Sequence, residues 1–310
     1  MATTEARPHG RVITGRIGDP QEGVRQPEPI VLPDAAWLFS RTADRLVALA
    51  DGHVMGDWLR FMARLARAQQ AAVTAMPPVA PSAVADAVAA CMPPLAAGAH
   101  RRDPAWRSGL AALLDRPGED ALPAQAVEVI AWLRRADAAA LEELADGYLG
   151  GRPPGGQAGA ALYVAASLQA YFSRLAASLP VDQLRLLPQR GRCPVCGAAP
   201  VAGVITAAGN APGVRYLRCG LCATEWNHVR AVCIGCGESG GLALHAIDGS
   251  GGAVKAETCD ACRGYAKMLY QASDMQVDPM ADDLASLGLD LLVSEAGWSR
   301  HAPNPLVLSG

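Results

Sequence analysis

Little in the sequence is expected to send the chain out of the cell or into a bilayer. Its opening, MATTEARPHGRVITGRIGDP, has no apolar core for a secretory signal. The expected compartment is therefore the cytoplasm, where thiols stay reduced. No apolar run approaches the ~20 residues of a membrane span. The softest stretch, AGAALYVAASLQAYF at 158–172, is expected to be a buried helix, and no direct membrane insertion is expected. A large excess of charge of either sign is missing too: the formal net charge is −3, which points to neither nucleic acid nor a membrane surface as partner. No GxSxG, HExxH or Walker-type sequence occurs, and no nucleophile, base and orienting acid lie close together. A non-enzymatic role is expected.

What the chain has is cysteine in pairs. Eight of its nine cysteines form Cys-x-x-Cys at 193/196, 219/222, 233/236 and 259/262, and the last four repeat the first four at an offset of 40 residues. Each copy has 22 residues between its pairs. A Cys-x-x-Cys turn aims two thiolates at one ion, and a second turn brought back by a hairpin completes a four-sulfur shell. Gly197 and Gly237 follow the leading pairs, where a knuckle needs positive φ. The expected ligands are Cys193, Cys196, Cys219 and Cys222 for one ion and Cys233, Cys236, Cys259 and Cys262 for the other. Pairing of 219/222 with 233/236 across ten residues is the alternative. Gly209–Gly213 and Gly249–Gly252 read as hairpin tips between short strands. Four thiolates suit iron or zinc alike.

The rest divides by pattern. Residues 1–29, rich in Pro, Gly and Arg without periodicity, are expected to form a mobile tail. Residues 30–185 carry apolar stripes at helical spacing (Met55, Trp58, Leu59, Met62, Leu65), broken at Pro77-Pro78, Pro93-Pro94, 116–118 and 153–156 into about six helices of an all-α domain. The cysteine modules fill 186–230 and 231–270. In 271–310, Leu284, Leu287, Leu291 and Leu292 build one last amphipathic helix before a proline-containing tail.

Arg192-Cys-Pro-Val-Cys-Gly197, Arg215-Tyr-Leu-Arg-Cys-Gly-Leu-Cys222, Thr224-Glu-Trp226, Val229-Arg230, Cys233-x-x-Cys-Gly237, Glu257-Thr-Cys-x-x-Cys262, Tyr265 and Lys267 resemble the formate dehydrogenase accessory proteins, the FdhE family. Asp282-Asp-Leu-Ala-Ser-Leu287, Leu289-Asp290, Glu295, Gly297, Arg300 and Asn304-Pro305 are similar to that family's C-terminal signature. The resemblance implies a multidomain chain: a mainly α N-terminal helical domain, two small rubredoxin-like or zinc-ribbon β modules and a C-terminal helix. It further implies a cytoplasmic maturation factor that holds the catalytic subunit of a formate dehydrogenase before export, carries two iron or zinc ions and turns over no formate. A homodimer is left open.

Two other readings stand beside it. A rubredoxin-like electron carrier would be coloured by iron. A zinc-ribbon nucleic-acid adaptor needs positive charge. Between 185 and 270 nine cationic side chains (185, 190, 192, 215, 218, 230, 255, 263, 267) face five acidic ones (225, 238, 248, 257, 260), a surplus of four. Two zinc tetrathiolates at −2 each cancel it, which disfavours phosphate binding. Arg190, Arg192, Arg215 and Arg218 could still form a local patch for an acidic peptide. Arg215, Tyr216, Trp226, Arg230, Glu257, Asp282 and Asp283 are candidate partner contacts, although Trp226 and Glu257 could simply pack around the sites and Asp282 and Asp283 could serve a helix N-terminus. Cys91 reads as a small buried residue, His228 and His245 as surface groups or neighbours of the metal sites, and His53 as a packed or solvated side chain without a special role.

Overall fold

The structure, a computed structural model, describes residues 26–76, 84–115, 122–152, 157–208 and 211–307. Most of the expected tail, the breakers at 77–78, 116–118 and 153–156, and the first two residues of the 209–213 tip lie outside them. No helix among the described residues is long and apolar enough to cross a membrane.

The apolar stripes become α1 (Leu38–Ala50), α2 (Gly56–Ala75), α3 (Val84–Ala89), α4 (Ala105–Leu114), α5 (Ala124–Arg135), α6 (Ala138–Leu149) and α7 (Ala158–Ala177). Among the described residues that is seven helices where about six were expected. Two breaks fall outside the expected breakers: one at 51–55, with Gly52 at φ 67°, parts α1 from α2, and the other, between α5 and α6, uses neither proline nor glycine. Asp137 makes it by accepting a hydrogen bond from the Ala140 amide at 2.8 Å, capping α6. The 158–172 stretch lies in α7, which is buried on almost every side, its alanines letting neighbours close in. Two of its buried polar residues are partnered: Ser167 donates to the Trp106 carbonyl, and Gln169 accepts from Gln69.

The cysteine repeats fold as two three-stranded antiparallel units, β2 (Pro200–Ile205), β3 (Arg215–Cys219) and β4 (Glu225–His228), then β5 (Leu242–His245), β6 (Val254–Cys259) and β7 (Gly264–Tyr270). They are not free-standing. β2 pairs in parallel with β7, Gly203 opposite Met268, and makes one mixed sheet of both copies. β1 (Ile30–Val31) closes the sheet beside β4, and β8 (Ser299–Arg300) pairs with the start of β7. The main apolar core runs from the helices into the sheet and takes in Cys193, Cys196, Cys219, Cys222, Trp226 and Met268, with smaller clusters around Leu269 and around Leu289.

The C-terminal stripe forms two helices, α8 (Ala281–Ala285) and α9 (Leu287–Glu295), instead of one. The break at Ser286 shifts the helical phase, so α9 buries Leu289 and Val293 while Leu291 and Leu292 face solvent. Lys267 enforces the break, donating from Nζ to the carbonyls of Asp283 and Ser286. Fully buried, Lys267 also pairs with Asp283 at 3.2 Å and Asp290 at 2.5 Å. Arg300 pairs with the same two carboxylates, and Tyr265 donates to Asp290. Two cations and two anions thus neutralise one another inside the protein, each partnered, as buried charge requires.

Candidate metal centres

Each leading knuckle is shaped by a glycine at positive φ, Gly197 at 75° and Gly237 at 84°. The amide of that glycine returns to the first cysteine's carbonyl, Gly197 to Cys193 at 2.9 Å and Gly237 to Cys233 at 3.0 Å. In the trailing knuckles Ala223 and Arg263 occupy equivalent left-handed positions, φ 60° and 55°. The two hairpins then bring trailing onto leading knuckle. Within each copy the four sulfurs lie inside 4.8 Å of one another. Adjacent pairing is therefore the one the fold adopts.

Sulfur separations test the fit to an ion. A tetrahedron with ~2.3 Å metal–sulfur bonds has edges of about 3.8 Å. Cys233–Cys262 and Cys236–Cys259 lie at 3.8 and 3.7 Å, and Cys193–Cys222 and Cys196–Cys219 at 3.5 and 3.4 Å. Both groups are positioned to hold a metal ion. Amides aimed at sulfur, Leu221 and Cys222 at Cys219 and Gly235 at Cys233, would stabilise thiolates there.

The copies differ in their surroundings. All four sulfur residues of the first are buried, whereas Cys236 and Cys262 of the second are exposed. The loop between α3 and α4, together with α7, grips the first centre through hydrogen bonds: Leu95 and Ala97 amides donate to the Val195 and Cys196 carbonyls at 2.8 and 2.9 Å, and Gln169 donates to the Gly220 carbonyl at 2.7 Å. Burial pushes the Cys193 and Cys196 thiols well up. Burial acts on Cys219 in the same sense, but donors from Cys193, Cys196 and Cys222 outweigh it and hold that thiol well below the usual range. Desolvation of the phenol of half-buried Tyr148 pushes it up, and Cys219 and Cys196 add to that shift. In the second copy partial desolvation of the thiol, with hydrogen bonds from Cys236, Cys233 and Cys259, raises Cys262 to about 12 although the residue is exposed.

Arg215 connects the copies. This fully buried guanidinium pairs with Glu257 of β6 at 2.7 Å, faces His228 Nδ1 at 2.9 Å, and donates to the carbonyls of Val229 and Val232, the latter next to Cys233. Burial pushes the Glu257 carboxyl up, an effect that Arg215 reduces.

The remaining candidate contacts are mostly interior. Trp226 is buried and its indole donates to the Arg190 carbonyl. Asp282 is buried against Arg45, and Asp283 against Lys267 and Arg300. The helix-capping part falls to Asp278, which accepts from the Met280 and Ala281 amides. Tyr216 is half-buried, its hydroxyl donating to the Glu28 carbonyl, and Arg230 is exposed. Arg218 of the basic patch is paired with Glu225. Cys91 is exposed, with φ 55°, because it lies in the turn after the short α3. His228 is buried on Arg215, His245 is exposed on Thr258, and His53 reaches the Ala285 carbonyl at 2.9 Å. None of these three histidines meets a cysteine sulfur. The one that does was missed from the sequence: His301 Nε2 is 3.6 Å from Cys233 and 3.8 Å from Cys262. It follows Cys262 by 39 residues and belongs to no spacing motif.

Comparison with known proteins agrees along nearly the whole chain. Family models match residues 27–188 (FdhE, N-terminal), 192–230 (FdhE, central domain) and 231–307 (FdhE, C-terminal domain). An FdhE homolog of Edwardsiella ictaluri is 40% identical over 286 residues, covering 91% of this chain and 92% of that protein. One from Rhizobium meliloti is 37% identical, covering 92% and 95%. The crystal structure of the FdhE protein from Pseudomonas aeruginosa superposes with a TM-score of 0.82 at 36% identity, covering 91% of this chain and 99% of that one. With all three family segments matched in order and relatives similar from end to end, the chain belongs to the FdhE family.

Proposed function

We propose that this protein is a non-enzymatic accessory factor of formate dehydrogenase maturation, which binds the enzyme's catalytic subunit in the cytoplasm and is needed for the active enzyme to form. The observation that carries this reading is the match to FdhE along residues 27–307, joined to two sulfur groups that would leave an ion no open position. Four thiolates fill a tetrahedral shell, and such a shell holds structure or passes electrons, whereas a hydrolytic site keeps a place for water. Iron or zinc would be held by Cys193, Cys196, Cys219 and Cys222 in one centre and by Cys233, Cys236, Cys259 and Cys262 in the other.

The first centre serves structure in this reading, since core and helices enclose it. The second, with two cysteines at the surface, is the one a partner or an oxidant reaches. Of the candidate contacts, Tyr216 and Arg230 are those whose side chains a partner meets, and the buried ones act through the fold.

Anaerobic affinity purification of the tagged protein from cells expressing formate dehydrogenase, with mass spectrometry and metal analysis of one eluate, tests the reading. The expected result is the catalytic subunit, lost when Cys259 and Cys262 are changed to serine. The exposed second centre also favours a second reading, an iron electron carrier. Iron in the eluate, a colour that bleaches reversibly on reduction and no dehydrogenase subunit would establish that one instead.

A further inference from the structure

The two copies treat their last cysteine alike by different means. In the first copy Thr224 Oγ1 lies 3.2 Å from Cys222 Sγ. Forty residues on, Cys262 takes the place of Cys222 and Gly264 the place of Thr224, so the repeat loses its hydroxyl. A second departure accompanies the first: Val195 of the leading knuckle is replaced by Gly235. A Cβ on Gly235 would come within 2.0 Å of the His301 ring, and one on Gly264 within 2.3 Å. The two glycines, one from each knuckle, thus open the slot in which the imidazole lies. Its Nε2 faces both Cys233 and Cys262, at 3.6 and 3.8 Å, distances suited to N–H···S contacts. β8 fixes the ring from behind, since the His301 amide donates to the Tyr265 carbonyl at 2.9 Å.

We propose that His301 is a positioning residue of the second centre: it donates from Nε2 to the Cys233–Cys262 sulfur edge and thereby holds the ion that the four cysteines bind. The inference rests on the reading that this group carries an ion. Two acceptor sulfurs place the proton on Nε2. A donor of this kind withdraws charge from the thiolates and fixes their orientation, and outer partners of metal ligands typically change affinity about 10- to 100-fold. It also covers part of a centre that otherwise opens to water at Cys236 and Cys262.

The full-length protein loaded with cobalt(II), a coloured substitute for zinc, tests this by release to a chromogenic chelator and by the thiolate-to-cobalt absorption band. Cys262→Ser identifies which release phase belongs to the second ion. His301→Phe fills the slot without a donor, and His301→Gln restores an N–H. The Phe variant is expected to release the second ion about 10- to 100-fold faster with a shifted band. Release of the first ion, embedded in the core, should be unchanged, which shows the variant folded. The Gln variant should recover most of the loss. Gly264→Ala, which evicts the ring with the histidine still present, should behave like the Phe variant. Wild-type rate and band in both His301→Phe and Gly264→Ala, or equal speed for the Gln and Phe variants, would overturn the proposal. A wild-type protein that binds a single cobalt would instead overturn the two-ion reading, and this inference with it.

Discussion

Arg215 carries more of the structure than its place in a short strand suggests. A fully buried cation is tolerable only because Glu257, His228 and two carbonyls surround it. Arg215→Met would leave Glu257 without its ion-pair partner, only the weaker influence of Arg230 remaining, at a cost of about 3–5 kcal/mol. The size of that loss should depend on pH. Glu257 already has its carboxyl pKa raised by burial, and removing Arg215 raises it further. A group raised on folding favours the fold below its unfolded value of 4.5 and loses that contribution as pH rises through its folded value. The variant's deficit against the wild type, read as a denaturant midpoint, should therefore be largest near pH 8 and shrink toward pH 5. A constant deficit would mean that Glu257 finds another partner.

At the scale of elements, the grip of the helices on the first centre can be loosened by one atom group. Gln169→Leu keeps the bulk of α7 and leaves the Gly220 carbonyl without its donor, which should cost about 1–3 kcal/mol and speed loss of the first ion on chelator challenge. The joint between the copies is testable at Gly203, where an added Cβ would stand 2.6 Å from Met268 Sδ. Gly203→Val should lower the melting midpoint by overpacking, worth about 1–3 kcal/mol, and Met268→Ala in the same chain should recover part of it. These elements also mark what was legible beforehand. The duplication, the adjacent pairing, the hairpins and the apolar faces of the long helices all follow from local spacing. The parallel β2–β7 joint does not, since it depends on a contact between Gly203 and a strand of the other copy and leaves no periodic mark. The phase of α9 was misread because Lys267, outside the helix, ends α8 at Ser286. Asp282 and Asp283 read as partner contacts or helix-start carboxylates because their cations lie on β7, β8 and α1. His301 left a trace only in the two glycines that interrupt the repeat.

The whole molecule should come apart in a fixed order. The second centre faces solvent and the first is part of the common core, so a strong chelator should remove one equivalent of metal with Trp226 fluorescence and helical circular dichroism intact. The other equivalent should leave only as both signals collapse in denaturant. Simultaneous loss of both ions from the native protein would contradict the assignment of a structural role to the first centre.

The ion pairs between α1 and the C-terminal region set a schedule as well as a shape. Arg45 pairs with Asp274 and Asp282, and Thr42 donates to Asp278. Arg45 and Asp282 are separated by 237 residues. At a ribosomal rate of roughly 5–20 residues per second, about ten to fifty seconds pass between the synthesis of one partner and that of the other. During that interval the nascent chain has completed both cysteine modules, yet its first helix still lacks the carboxylates that seat it. A polypeptide released before residue 282 never acquires the full set, so complete closure of this clasp distinguishes a finished translation product from a truncated one.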